Sequence, residues 1–181
     1  RITNKELTTS VNLETELREV LHQRDEITHD KIDHLIQNAL VFDIKDHLTL
    51  NEFFEIISEE LAETIKMSKN SLSKLFKKRE AESSTAITPY LAIPHIIIKG
   101  KDKFHLAIVR VKHGIEFTSQ FDKVKAVFIL LGSKDNRNFH LQVLSAIAGI
   151  VQSSDFEEKW KKARSESNLK DILLLGERKR F

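Results

Sequence analysis

Cysteine is absent from the 181 residues. This excludes a disulfide framework, a thiolate metal site and a cysteine nucleophile. Proline occurs twice and glycine five times, which excludes a collagen-like or low-complexity chain. Long apolar runs are also missing. The longest, Ala126–Leu131, has the length of a strand and falls well short of the ~20 residues a membrane-crossing helix needs. Neither sign of charge dominates: 29 Lys+Arg against 27 Asp+Glu leave a net charge of +2. Charge therefore gives no ground for nucleic-acid binding. The start, Arg1-Ile2-Thr3-Asn4-Lys5, shows no signal-peptide pattern. It also lacks Met, which suits a segment of a longer polypeptide, one that could include a membrane protein.

What is present is ordinary for a globular protein: 40% hydrophobic and 31% charged residues. The length suits one domain plus an extension, with a full core. Residues 11–39 read as two helices joined near His29 and Asp30. Thr49 or Asn51 caps a helix bearing Phe53, Phe54, Ile57, Leu61 and Ile65 at helical spacing. Ser68 opens another that runs to about Glu82. From Ser83 to Leu131 the pattern turns to strands: Thr85–Thr88, Leu91–Ile98, His105–Val111, a short Gly114–Phe117, and Lys125–Leu131. The last is the most apolar and is expected at the centre of the sheet. A polar loop over Gly132–Asn138 leads to a long helix with Leu141, Leu144, Ile147 and Val151. A helix capped by Asp155 follows, and a short one over 168–175. Helices on either side of one run of strands predict a layered α/β or α+β domain.

Few residues stand out chemically. Ala92-Ile93-Pro94-His95 closes an apolar strand with a histidine directly after a proline. Pro94 donates no backbone hydrogen bond, so pairing is interrupted beside the imidazole, near a sheet end or edge. An imidazole facing a cleft offers one nucleophilic nitrogen while an acceptor holds the other. A half-buried histidine at a strand end is the plain alternative. His140 sits at a helix start, where free N–H groups favour anions, or is simply a polar first-turn residue. Arg79 ends a helix just before Ser83-Ser84-Thr85. Its guanidinium is a fork suited to phosphate oxygens, although an arginine at a helix C-terminus is favoured by the dipole alone. The other histidines (His22, His29, His34, His47, His105, His113) show no metal-ligand spacing. Lys159, Lys161, Lys162 and Arg164, with Arg178-Lys179-Arg180, read as a solvated basic face and tail. No P-loop, GxGxxG or GxSxG motif is present.

Taken together, Arg79-Glu80, Ser83-Ser84-Thr85-Ala86-Ile87, Leu91-Ala92-Ile93-Pro94-His95, Val127–Leu131 and His140–Leu144 resemble the fructose/mannitol-type enzyme IIA domain of the bacterial phosphoenolpyruvate-dependent sugar phosphotransferase system. The resemblance covers about residues 45–175. It implies an α/β fold with a mixed sheet of about five strands between helices. It divides the chain into a helical extension or linker (1–44), the IIA-like domain (45–176) and a basic tail (177–181). It also implies that His95 takes a phosphoryl group from an HPr-like phosphocarrier, that Arg79 binds it, and that His140 lies beside His95. Ser83, Ser84 and Thr85 would bind phosphate, with Glu80 in support. No metal or organic cofactor is implied.

Tyr90 departs from the family pattern, which often has Gly there, and residues 1–44 have no counterpart in the minimal domain. The extension resembles the arrangement in which a IIA-like domain is the cytoplasmic tail of a transporter. Two versions of the function follow: relay to a IIB domain, or regulation of an attached or partner membrane transporter. The rival reading is a IIA-fold docking or dimerisation module that is not phosphorylated. A homodimer is open under either reading.

Overall fold

The computed structural model describes residues 31–178. Its organising element is the strand over Val124–Ser133, in which nine of ten residues are buried. Residues covered on both faces must be apolar, so Ala126–Leu131 is forced to the sheet centre. In chain order the strands are β1 (Leu40–Ile44), β2 (Leu91–Ala92), β3 (His95–Ile98), β4 (Phe104–Ile115) and β5 (Val124–Ser133). The helices are α1 (Lys31–Gln37), α2 (Leu50–Ile65), α3 (Lys69–Glu82), α4 (Arg137–Val151), α5 (Phe156–Lys162) and α6 (Glu166–Leu174). The sheet runs β1-β4-β5-β2, and β3 also pairs with β5. β5 is antiparallel to β4 and parallel to β2 and β3, while β1 is parallel to β4. The expected mixed five-stranded α/β fold is the observed one.

Alternation along the strands builds two cores. Val127, Ile129 and Leu131 of β5 join Val109 and Val111 of β4 against Phe53, Phe54, Leu61, Leu72 and Phe76 of α2 and α3. Ala126, Phe128 and Leu130 join Leu106 and Ile108 on the other face, against α1, α4, α5 and α6, with Trp160 fully buried. Thr49 starts α2 with a capping box: its hydroxyl accepts from the Glu52 amide, and Glu52 accepts from the Thr49 amide. Such a cap contributes about 1 kcal/mol. Ser68 caps α3 through the Ser71 amide.

Three details differ from the sequence reading. Leu91–Ile98 is two strands, because Pro94 breaks the ladder. Thr85–Thr88 contributes only a single bridge, Ala86 to Ala92. The polar loop after β5 is shorter than expected: β5 runs to Ser133, a 3-10 turn spans Lys134–Asn136, and α4 begins at Arg137.

The edges of the domain also move. β1 lies in the sheet, so a boundary after residue 44 cuts through the folded body. From the sequence, residues 41–44 read as a short strand or an entry segment; the structure makes them a strand whose partners lie 67 residues away. Arg178, placed in a solvated tail, instead buries its side chain and donates to Asp33 of α1 at 2.7 Å. The helix expected before Asp30 lies outside the described residues.

Candidate functional site

Pro94 has no amide hydrogen, and its carbonyl accepts from Leu130 of β5 at 2.9 Å. The Ile93 carbonyl just before it accepts the Nδ1 hydrogen of His95 at 2.9 Å. That bond selects the tautomer, so in the neutral ring the lone pair is on Nε2. Among the described residues β3 pairs with β5 alone, and His95, its first residue, is half-exposed at the sheet edge.

Arg79 reaches this nitrogen from the last turn of α3. Its Nε donates to His95 Nε2 at 3.3 Å, and Nη2 lies 3.2 Å from the same atom. Nη1 donates to the Ser83 carbonyl at 2.9 Å and meets the Ser83 hydroxyl at 3.4 Å. A planar cation thus faces the nucleophilic lone pair, within reach of any group that forms a bond there.

His140, in the first turns of α4, comes from the opposite layer. Its ring lies 5.1 Å from that of His95. Burial, aided by the nearby His95, holds its pKa below the ordinary 6.5, so the ring stays neutral at neutral pH. Phe104 backs His140 at 5.9 Å and Phe139 at 4.9 Å. Phe104 can lie there because the residue opposite it in β5 is Gly132. A Cβ on Gly132 would come within 2.7 Å of the Phe104 ring.

Glu80, the next residue after Arg79, turns to the loop. It accepts from the Ser84 hydroxyl at 2.8 Å, the Thr85 amide at 3.0 Å and the Thr85 hydroxyl at 2.5 Å. The Ser84 and Thr85 hydroxyl hydrogens are therefore spent on Glu80. Ser83 turns instead to Arg79: its carbonyl accepts from Nη1, and its hydroxyl oxygen lies 3.4 Å from the same nitrogen. The fold brings His95, Arg79, His140 and Ser83 together. Glu80, Ser84 and Thr85 form the brace beside them. Sequence reasoning missed the Ile93 carbonyl and the Phe104–Gly132 contact. A missing strand donor at Pro94 and a glycine closing the most apolar strand were the available signals. Among the described residues no cluster of three or more potential ligands could hold a metal.

A histidine with one nitrogen anchored and the other facing an arginine has the chemistry that phosphoryl transfer needs, in which positioning and charge neutralisation do most of the work. A family model for the phosphoenolpyruvate-dependent sugar phosphotransferase system, EIIA 2, matches residues 34–175. The chain belongs to that family.

Among curated proteins it is similar to the fructose-specific EIIA component of Haloferax volcanii, with 32% identity over 97 residues. That match covers 53% of this chain and 63% of the relative, less than two thirds of its length. It is 29% identical over 135 residues to the mannitol-specific enzyme IIA component of Bacillus subtilis, covering 69% of this chain and 91% of the relative. Among solved structures it resembles nitrogen regulatory protein IIA-Ntr from Neisseria meningitidis. The TM-score is 0.70 at 22% identity, over 80% of this chain and 99% of that one. This likeness shows the fold. The mannitol-specific IIA of Escherichia coli has been solved in complex with phosphorylated IIB, and a fructose-specific relative in Bacillus subtilis is an EIIABC component.

Proposed function

We propose that this domain takes a phosphoryl group from an HPr-like phosphocarrier onto Nε2 of His95. The bond from donor nitrogen to phosphorus breaks as the bond from phosphorus to Nε2 forms, in line. Neutral imidazole attacks without losing a proton. The positive charge that develops in the ring is met by the Ile93 carbonyl at Nδ1–H. Arg79 moves from the lone pair to the phosphoryl oxygens as these arrive, and Ser83 and neutral His140 lie beside them. Glu80, Ser84 and Thr85 hold the loop rather than the phosphate.

The observation that carries this reading is His95 with Nδ1 fixed on a carbonyl and Nε2 on a guanidinium. Large exposed apolar side chains adjoin the site in the chain: Ile87, Ile97 at 68% exposure, and Leu141. They suit contact with a protein partner. The phosphoryl group then passes to a IIB domain or controls an attached or partner transporter from the cytoplasmic side. Relatives that join IIA to other units in one chain support tethering.

The test is intact mass after incubation with phosphoenolpyruvate, enzyme I and HPr, beside His95→Ala. One phosphoryl group on the wild type alone is expected. No gain on the wild type, or full labelling of His95→Ala, overturns the reading and favours the docking module. Discharge by a IIB protein then separates relay from regulation.

A further inference from the structure

The sheet edge that carries His95 has an uncovered apolar face. In register across the sheet, Ile97 of β3 stands opposite Gly132 of β5, and Gly132 stands opposite Phe104 of β4. Residues in one such row point to the same face. Ile97 therefore shares a face with Phe104, which packs on Phe139 and His140, and Gly132 puts no side chain between them. Ile97 is 68% exposed, and Leu141, the residue after His140, is 53% exposed.

The rim at this end of the sheet is basic. Lys99, Lys101 and Lys103 lie on the turn from β3 to β4, and Lys134 and Arg137 lie at the entry to α4; all five are exposed. The two stretches are tied together. The Asp135 carboxylate accepts from the Asp102 amide at 2.9 Å, and the Lys103 carbonyl accepts from the Ser133 amide at 2.8 Å. Against these five cations the two stretches set only Asp102 and Asp135. Charges strung along a rim suit a long acidic segment better than one small anion.

The chain itself carries such a segment. Lys31, the first described residue, marks where the preceding chain attaches. Its ammonium lies 6.0 Å over the Phe139 ring, and Phe139 packs on Phe104 at 4.9 Å. Residues 1–30 therefore join the folded body beside this edge. Within them Leu13, Leu17, Val20 and Leu21 recur at helical spacing. Residues 11–30 hold six Asp and Glu against two Arg. As a helix, residues 11–24 would be about 21 Å long, and the six residues that follow span up to roughly 20 Å. The reach, the apolar stripe and the sign of charge all match the edge.

We propose that residues 11–24 of the same chain lie across the Ile97 edge and cover His95 until a partner displaces them. The extension is then an internal competitor for the surface on which a phosphoryl donor docks. A phosphoryl group on His95 adds negative charge at the edge and repels the acidic segment. This last step rests on the phosphoacceptor reading; the docking does not.

The chain has no cysteine, so Thr15→Cys in the full chain gives one attachment point for a nitroxide spin label, away from the apolar stripe. Broadening of amide NMR signals, referenced to the reduced label, should centre on Ile97, Gly132 and Leu141 and weaken with added salt. Leu17→Asp with Leu21→Asp should abolish it, and Lys101→Glu with Arg137→Glu should reduce it. The proposal is overturned if broadening is absent, centres on Lys125 and Trp160, or survives Leu17→Asp with Leu21→Asp. It also fails if unlabelled isotope-enriched chains mixed with spin-labelled chains are broadened at the same residues, because the occupant is then a second copy. The unphosphorylated protein suffices for these readings, so they stand even if His95 proves not to be the acceptor. The covering role is read from the initial rate of labelling by phospho-HPr. Leu17→Asp with Leu21→Asp should raise it about threefold or more, as for a site covered two thirds of the time, and an unchanged rate overturns that role.

Discussion

Arg79 and Arg110 lie at opposite ends of the same sheet and are employed in opposite ways. Arg110 is saturated. It forms a two-pronged contact with Asp43 and donates to two backbone carbonyls, with only 14% of its side chain exposed. The contact lowers the Asp43 pKa, chiefly through the hydrogen bond from Arg110. Each of its three nitrogens has a fixed acceptor, four hydrogen bonds in all, so the side chain ties β1, β4 and α5 together. Arg79 holds a loop carbonyl with one nitrogen and rests the others on a histidine lone pair, which is a weak and replaceable acceptor. An arginine that binds a transient phosphoryl group must keep donors that can be redirected. The state of the donors, more than the residue type, separates a structural arginine from a functional one.

The comparison can be broken by experiment. The largest effect is expected at the group Arg79 serves: His95→Ala should lose phosphorylation entirely while its far-UV circular dichroism is unchanged. Arg110→Ala should destabilise the fold by about 3 kcal/mol, because it strands a largely buried carboxylate. Urea denaturation measures this, and the folded variant should still label on His95. Arg79→Ala should do the reverse. Transfer should slow roughly tenfold to a hundredfold, from about 1.5–3 kcal/mol of lost charged hydrogen bonding, with little change in the urea midpoint. If Arg79→Ala unfolds the protein and Arg110→Ala does not, the assignment of the two arginines is reversed.

Smaller effects sharpen the picture. Glu80→Ala removes the acceptor for Ser84 and Thr85 and should cost about 1–2 kcal/mol of stability. It should also slow transfer less than Arg79→Ala does. The smallest effect concerns pH. Burial holds the folded-state pKa of His140 below its ordinary 6.5. The unfolded chain therefore binds more protons as pH falls through the window just below 6.5, and stability falls with it. The contribution is complete above 6.5. His105 is lowered in the same direction, chiefly by burial, so His140→Gln should flatten only part of the acid slope. Melting temperatures on either side of 6.5 measure this, and an unchanged slope would remove His140 from the explanation.

Much of the molecule was legible in advance. Val127–Leu131 had to be central because nothing in it could face water. Thr49 and Ser68 announced their helices through short side chains that compete for backbone amides. His95 was visible because a proline beside an apolar strand end is rare. β1 was legible only in part: residues 41–44 read as a short strand or an entry segment, and what decides between the two is a partner 67 residues away. Arg178 was misjudged for the same reason: beside Lys179 and Arg180 it reads as part of a solvated charge run, yet its partner Asp33 lies at the other end of the described chain.

The sequence by itself determined the local alphabet of this protein: alternation, caps, the broken strand at Pro94 and the chemical types available for a site. These depend on neighbours within a few residues, where sequence distance and spatial distance agree. Only the tertiary structure decided which arginine is free and which nitrogen of His95 is anchored. It alone placed His140 against His95. Those outcomes depend on hydrogen bonds and charges from elements far apart in the chain, and no periodicity records which of them will meet.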